Sequence, residues 1–185
     1  STQGYSSAAS DVYKRQGHWA AAAECYQKAA EQGNSAGLSL LGECLYQGRG
    51  VPKSAAQARK LWKAAAESGE TIALLNLGDD CAARGDNGKA LLWYRRARQS
   101  AAAVPDIEYT PRVCLRLAQY ETRYTSRKKA LALAAEAKQA FTILQREHEP
   151  DADCWLQEAE QLLYELTHEP PTAPAAYNIE SLQLD

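Results

Sequence analysis

Residues 35–69 read SAGLSLLGECLYQGRGVPKSAAQARKLWKAAAESG. Leu38, Leu41, Leu45 and Tyr46 recur at i, i+3, i+7 and i+8, the spacing of one face of a helix. Gly42 falls on that face, where its missing side chain admits a neighbouring helix. Gly48, Arg49, Gly50, Val51 and Pro52 then break the pattern, because glycine supplies tight-turn conformations and proline cannot continue a helix. Ser54 followed by Gln57 has the form of a capping box that opens a second helix. Ala58, Leu61, Trp62 and Ala65 give this second helix an apolar face, and Gly69 suits the position just past its end. Small residues set against Trp62 predict two closely pressed helices. Such a hairpin cannot bury its apolar face alone, so it predicts a stack of similar units.

The rest of the chain supplies them. A shift of 36 residues carries Ala58, Trp62, Ala65, Ala66 and Gly69 back onto Ala22, Tyr26, Ala29, Ala30 and Gly33. The same shift carries Leu41 and Gly42 forward onto Leu77 and Gly78. With a shift of 32, Ser54, Ala58, Trp62 and Ala65 reach Asp86, Ala90, Tyr94 and Ala97, the four lost positions being the GRGV turn. A further 40 brings Asp86, Ala90 and Ala97 to Ser126, Ala130 and Ala137, and Gly78 to Ala118. Glycine, cap and aromatic columns move together, which chance alignment of alanine-rich helices does not produce.

Leu41, Gly42, Tyr46, Gly48, Gly50, Val51, Ala58, Ala65, Ala66 and Gly69, with Ser54 in place of the usual aspartate, resemble the Sel-one-like repeat, a relative of the tetratricopeptide repeat. The resemblance covers roughly residues 17–140, with one specific copy, one half copy and looser copies after them. It implies an all-α fold, an α-solenoid of stacked antiparallel helix hairpins that scaffolds protein–protein contacts without catalysis of its own. The organisation expected is a half repeat over 17–34, repeats over 35–70 and 71–101, a divergent repeat over 106–148 and a capping helix over 151–167. Thr110 as cap with Pro111 after it begins the first helix of the divergent repeat.

In tetratricopeptide-like stacks the first helix of each hairpin lines a concave groove, on the side opposite its Leu–Gly seam. Counting from Gly42, Gly78 and Ala118 places Ser39, Glu43 and Gln47 there, then Asn76, Asp79 and Ala83, then Arg112, Arg116, Gln119 and Arg123. The candidate peptide-binding set is therefore Glu43, Asn76, Asp79, Arg112, Arg116, Gln119 and Arg123, acidic at one end and basic at the other. The related family often uses an asparagine at the place of Asn76 to hold a peptide backbone.

The ends read differently. Ser6–Gln16 matches, codon by codon, the translation of a transposase sequencing-library adapter, so residues 1–16 are expected to be a non-native leader. The natural sequence is then expected to enter at Gly17, inside a repeat, with its first helix and anything before it missing. Residues 168–185, with three prolines, are expected to be a disordered tail.

The 185 residues carry a formal net charge of −2, not the basic balance of a nucleic-acid or membrane-surface protein. The five cysteines are odd in number and lack a C-x-x-C, which points to free thiols and a cytoplasmic protein. His18, His148 and His168 share no ligand spacing, and no H-E-x-x-H, phosphate loop or G-x-S-x-G occurs, so neither metal nor cofactor is expected. Arg95, Arg96 and Arg98 read as the solvated face of a helix. A protein or peptide partner of unstated identity is the leading reading. Its competitors are an RNA-binding helical repeat and the regulatory repeat region of a larger enzyme.

Overall fold

The computed structural model describes residues 17–168 apart from 105, 108, 148 and 150, and of residues 123 and 124 the backbone alone. The leader expected over 1–16 lies outside the described residues, and so does the expected tail after His168. Eight helices and no strand occur among the described residues: α1 (Trp19–Glu31), α2 (Ser35–Gln47), α3 (Ala55–Glu67), α4 (Thr71–Ala83), α5 (Asn87–Ala103), α6 (Tyr109–Tyr124), α7 (Arg127–Arg146) and α8 (Ala152–His168). None is long and apolar enough to cross a membrane.

The spacing of helix starts reproduces the sequence columns. α1 and α3 begin 36 residues apart, as do α2 and α4, while α3 to α5 spans 32 and α5 to α7 spans 40. The cap column is also physical. Ser54 accepts from the Gln57 backbone N–H at 3.4 Å, Asp86 from Lys89 at 3.3 Å and Ser126 from Lys129 at 3.4 Å, each satisfying an orphan donor of the first turn. His18 stands at the matching position of α1 but its side chain caps nothing. Gly33 and Gly69 both take φ of +78°, the left-handed conformation that ends α1 and α3 and that a Cβ would strain.

One expected cap moves. α6 begins at Tyr109, whose N–H donates to Asp106 Oδ1 at 2.8 Å, while the Asp106 N–H donates back to Thr110 Oγ1 at 2.9 Å. Asp106 is thus the cap and Thr110 its reciprocal partner, because a carboxylate three residues upstream reaches the first free N–H.

The described chain divides into two compact units, one up to Leu77 and one from Gly78, the division falling within α4. In the first unit α1 packs on α2 and α2 on α3. The buried face of α2 differs from the sequence expectation: Leu38, Leu41, Leu45 and Tyr46 are only half-buried. Gly37, Leu40 and Cys44 form one buried stripe, Ser39 and Gly42 another. The reason is that α2 is covered on two flanks. A Cβ on Gly37 would stand 2.7 Å from Ala29 Cβ of α1, and one on Gly42 would collide with the Trp62 indole of α3. The leucines lie between the two flanks. Ser39, expected on the groove side, is fully buried, and its carbonyl accepts from Trp62 Nε1 at 3.0 Å.

In the second unit α5 packs on α6, α6 on α7 and α7 on α8, which also touches α6. Tyr94, Leu91, Val113, Leu115, Phe141 and Leu144 are among its most deeply buried large side chains. Two of the three arginines expected to be solvated instead fasten helices together. Arg95 pairs at 2.8 Å with the buried Glu121 of α6, and Arg98 donates to both Glu136 oxygens of α7 at 2.9 and 3.0 Å. Only Arg96 is exposed.

Candidate functional site

The expected site residues fall into separate groups. In the first unit Glu43 is half-buried on α2, accepts from the Gln47 amide at 3.3 Å and lines a small cleft with Trp19, Tyr26 and Leu40. The Arg49 guanidinium covers the Trp19 ring there, 4.5 Å from its centroid. Asn76, on α4, has its amide nitrogen buried with no hydrogen-bond partner among the described residues.

In the second unit the structure brings four expected residues together: Asp79, Arg112, Arg116 and Gln119. The assembly starts from a glycine. A Cβ at Gly78 would collide with the Tyr94 ring, so its absence lets the tyrosine close on α4. The Tyr94 hydroxyl then donates to Asp79 Oδ1 at 2.7 Å. That carboxylate faces Arg116 Nε at 3.6 Å, across from α6. On its other side Arg116 Nη1 donates to Glu158 Oε1 of α8 at 2.7 Å, and Gln119 Nε2 donates to the same oxygen at 2.7 Å. One turn before Arg116, the Arg112 guanidinium lies 5.1 Å from the centroids of both Tyr109 and Trp155. It has no carboxylate partner among the described residues. The side chain of Arg123 lies outside the described residues.

The electrostatics follow from this order. Burial raises the Asp79 carboxyl above its ordinary range, and the Tyr94 hydroxyl, Arg116 and Arg112 only partly offset that. Burial pushes the Tyr94 hydroxyl up, and neighbouring Asp79 adds to it. For Arg116, burial works against the charge, yet Asp79 and Glu158 outweigh it and hold the guanidinium firmly protonated. The basic end expected from the sequence is thus flanked by carboxylates. Glu158 and Trp155 were missed as site residues because both sit on α8, where the apolar periodicity marks Trp155 as core. Their i, i+3 spacing on one helix was the available signal. Among the described residues no cluster of His, Cys, Asp and Glu is arranged to hold a metal ion, and no nucleophile, base and orienter converge at this network.

Comparison with known proteins places these helices. Residues 20–34, 35–70 and 72–100 match the family model of the Sel1 repeat. No curated protein matches the sequence. Among solved structures the chain is similar to a protective antigen present in uropathogenic Escherichia coli strains that displays an SLR fold. That likeness has a TM-score of 0.53 and 22% identity, over 78% of this chain and 33% of that one. It is also similar to a Sel1 repeat protein from Oxalobacter formigenes, with a TM-score of 0.50 and 22% identity over 77% of this chain and 64% of that one. The chain thus spans a third of the first structure and just under two thirds of the second. At such identity the likeness speaks for the fold alone, and it agrees with the repeat match. The chain thus carries three Sel1 repeats, over residues 20–34, 35–70 and 72–100.

Proposed function

We propose that the chain is a non-catalytic scaffold that holds a protein or peptide partner on the face of the second unit where Asp79, α6 and α8 meet. Sel1 repeats generally serve as protein-interaction scaffolds, which supports the coarse reading. The observation that carries the finer one is Arg112. A half-buried guanidinium laid against two aromatic rings is restrained by them, and among the described residues its N–H donors are spent on no carboxylate. Beside it Arg116 is already aimed by Asp79, and Gln119 is tied to Arg116 by its side-chain oxygen. Pre-oriented polar groups lose little freedom on binding, which favours recognition over mere solubility.

The test is affinity capture with an Arg112→Ala, Arg116→Gln double variant. Because the Arg116 ion pairs are about a third exposed, their loss costs little stability, on the order of 1 kcal/mol. The expected result is a melting temperature within a few degrees of the native protein and partner recovery reduced on the order of tenfold. Undiminished recovery from a folded variant removes this face as the binding surface.

A further inference from the structure

We infer that the Arg112–Arg116–Gln119 face of α6 is a carboxylate-recognition site which the chain occupies with its own Glu158, and that a partner's acidic side chains bind by exchange with it. The inference rests on the scaffold reading and names the partner's chemistry: a peptide segment rich in aspartate or glutamate.

The geometry shows the site loaded. Glu158 Oε1 receives two charged or amide donors from successive positions on one helix face, Arg116 Nη1 and Gln119 Nε2, both at 2.7 Å. Gln119 Oε1 in turn accepts from Arg116 Nη1 at 3.3 Å, which fixes the relative orientation of the two donors. Behind them Asp79 anchors Arg116 through Nε, and Tyr94 anchors Asp79, so the donor edge of the guanidinium is set by groups other than the carboxylate it binds. The site therefore keeps its shape when Glu158 leaves.

Exchange is open because the pair is not sealed. The Arg116 and Glu158 side chains are each 36% accessible. α8 itself stays in place, since Ala152, Ala159 and Leu166 are buried in the core of the unit. Only the Glu158 side chain has to swing away. Trp155, one turn earlier on α8, holds the Arg112 guanidinium 5.1 Å from its ring centroid, so an incoming acidic segment meets two guanidinium groups one helical turn apart. A basic partner would face those same two cations, which repel it; Asp79 is held between Tyr94 and Arg116.

The experiment titrates labelled hexaglutamate into the folded chain at low salt, with hexaglutamine as the uncharged control. Glu158→Gln keeps the size of the side chain and removes its charge. It is expected to bind hexaglutamate about tenfold more tightly than the native chain, with no change towards hexaglutamine. Adding Arg116→Gln to that variant is expected to abolish the gain. Equal affinity of the native chain and Glu158→Gln, both folded by circular dichroism, overturns the inference. Should Glu158→Gln fail to fold, Glu158→Asp retracts the carboxylate by one methylene and is expected to tighten hexaglutamate binding as well; no change there overturns it equally. The two readings fail differently. If capture of native partners depends on Arg112 and Arg116 while hexaglutamate is indifferent to Glu158, the scaffold face stands and the carboxylate exchange does not.

Discussion

Tyr94 donates its hydroxyl to Asp79 at 2.7 Å while its ring, 1% exposed, fills the core of the second unit. One side chain thus joins the packing of the repeat to the polar network on its surface. Tyr94→Phe keeps the ring and deletes only the bond. Asp79 remains partly open to water, so the expected loss is modest, about 1 kcal/mol by urea denaturation. A loss the size of a core truncation, several kcal/mol, contradicts that division of labour between ring and hydroxyl.

The same carboxylate predicts a pH dependence. Burial leaves the folded Asp79 pKa above its unfolded value, about 3.9 for an ordinary aspartate. The folded chain then holds that proton more readily than the unfolded one. The stabilisation from this group is complete below the unfolded pKa and is lost as pH rises through the folded one. Asp79→Asn still accepts from Tyr94 but never ionises. Its melting temperature relative to the native protein is expected to climb as pH rises above about 4 and then level off. A difference that is flat or falls with pH contradicts the raised value.

Trp62 tests the first unit. It is 2% exposed, packs on Tyr46 with ring centroids 5.2 Å apart and planes tilted by 44°, and donates to the Ser39 carbonyl. Trp62→Ala is expected to cost about 3–5 kcal/mol, as a core aromatic lost with its hydrogen bond. Gly42→Leu is expected to be at least as damaging, because even a Cβ there collides with the indole. Near-native stability in either variant is incompatible with the Gly42–Trp62 contact.

The columns that made the fold legible were those with a physical job at a fixed repeat phase. Gly42 and Gly78 each admit an aromatic ring, Ser54, Asp86 and Ser126 cap helices, and Gly33 and Gly69 end them. What the sequence hid was tertiary. The buried flanks of α2 depend on helices on both sides, so a single-face count chose Leu38, Leu41 and Leu45 over Leu40 and Cys44. Asp79, Arg112, Arg116 and Gln119 were legible because they recur on first helices. Glu158 was not, since it reaches Arg116 from 42 residues away on a helix outside the repeat pattern.

Thiol chemistry gives an independent check on packing. Cys154 is exposed, whereas Cys44, Cys81 and Cys114 are buried. Burial, with Glu136 beside it, pushes the Cys114 thiol up to about 12, and burial also raises Cys81. Thiolate is the reacting form, so a maleimide pulse at neutral pH is expected to label Cys154 first. Cys114 is expected to react only after denaturation. Early labelling of Cys114 in peptide mapping contradicts its place between α6 and α7.

Asn76 separates a structural residue from one kept for another purpose. Its amide nitrogen is buried without a partner among the described residues, a state that costs desolvation and returns no hydrogen bond. Replacing it therefore removes a penalty rather than a support. Asn76→Leu, close in volume and without polar atoms, is expected to hold or raise stability by about 1 kcal/mol in urea denaturation. A clear loss of stability shows that the amide is satisfied in solution. If instead the variant is as stable as the native chain or more so, the orphaned amide is a cost that the fold carries.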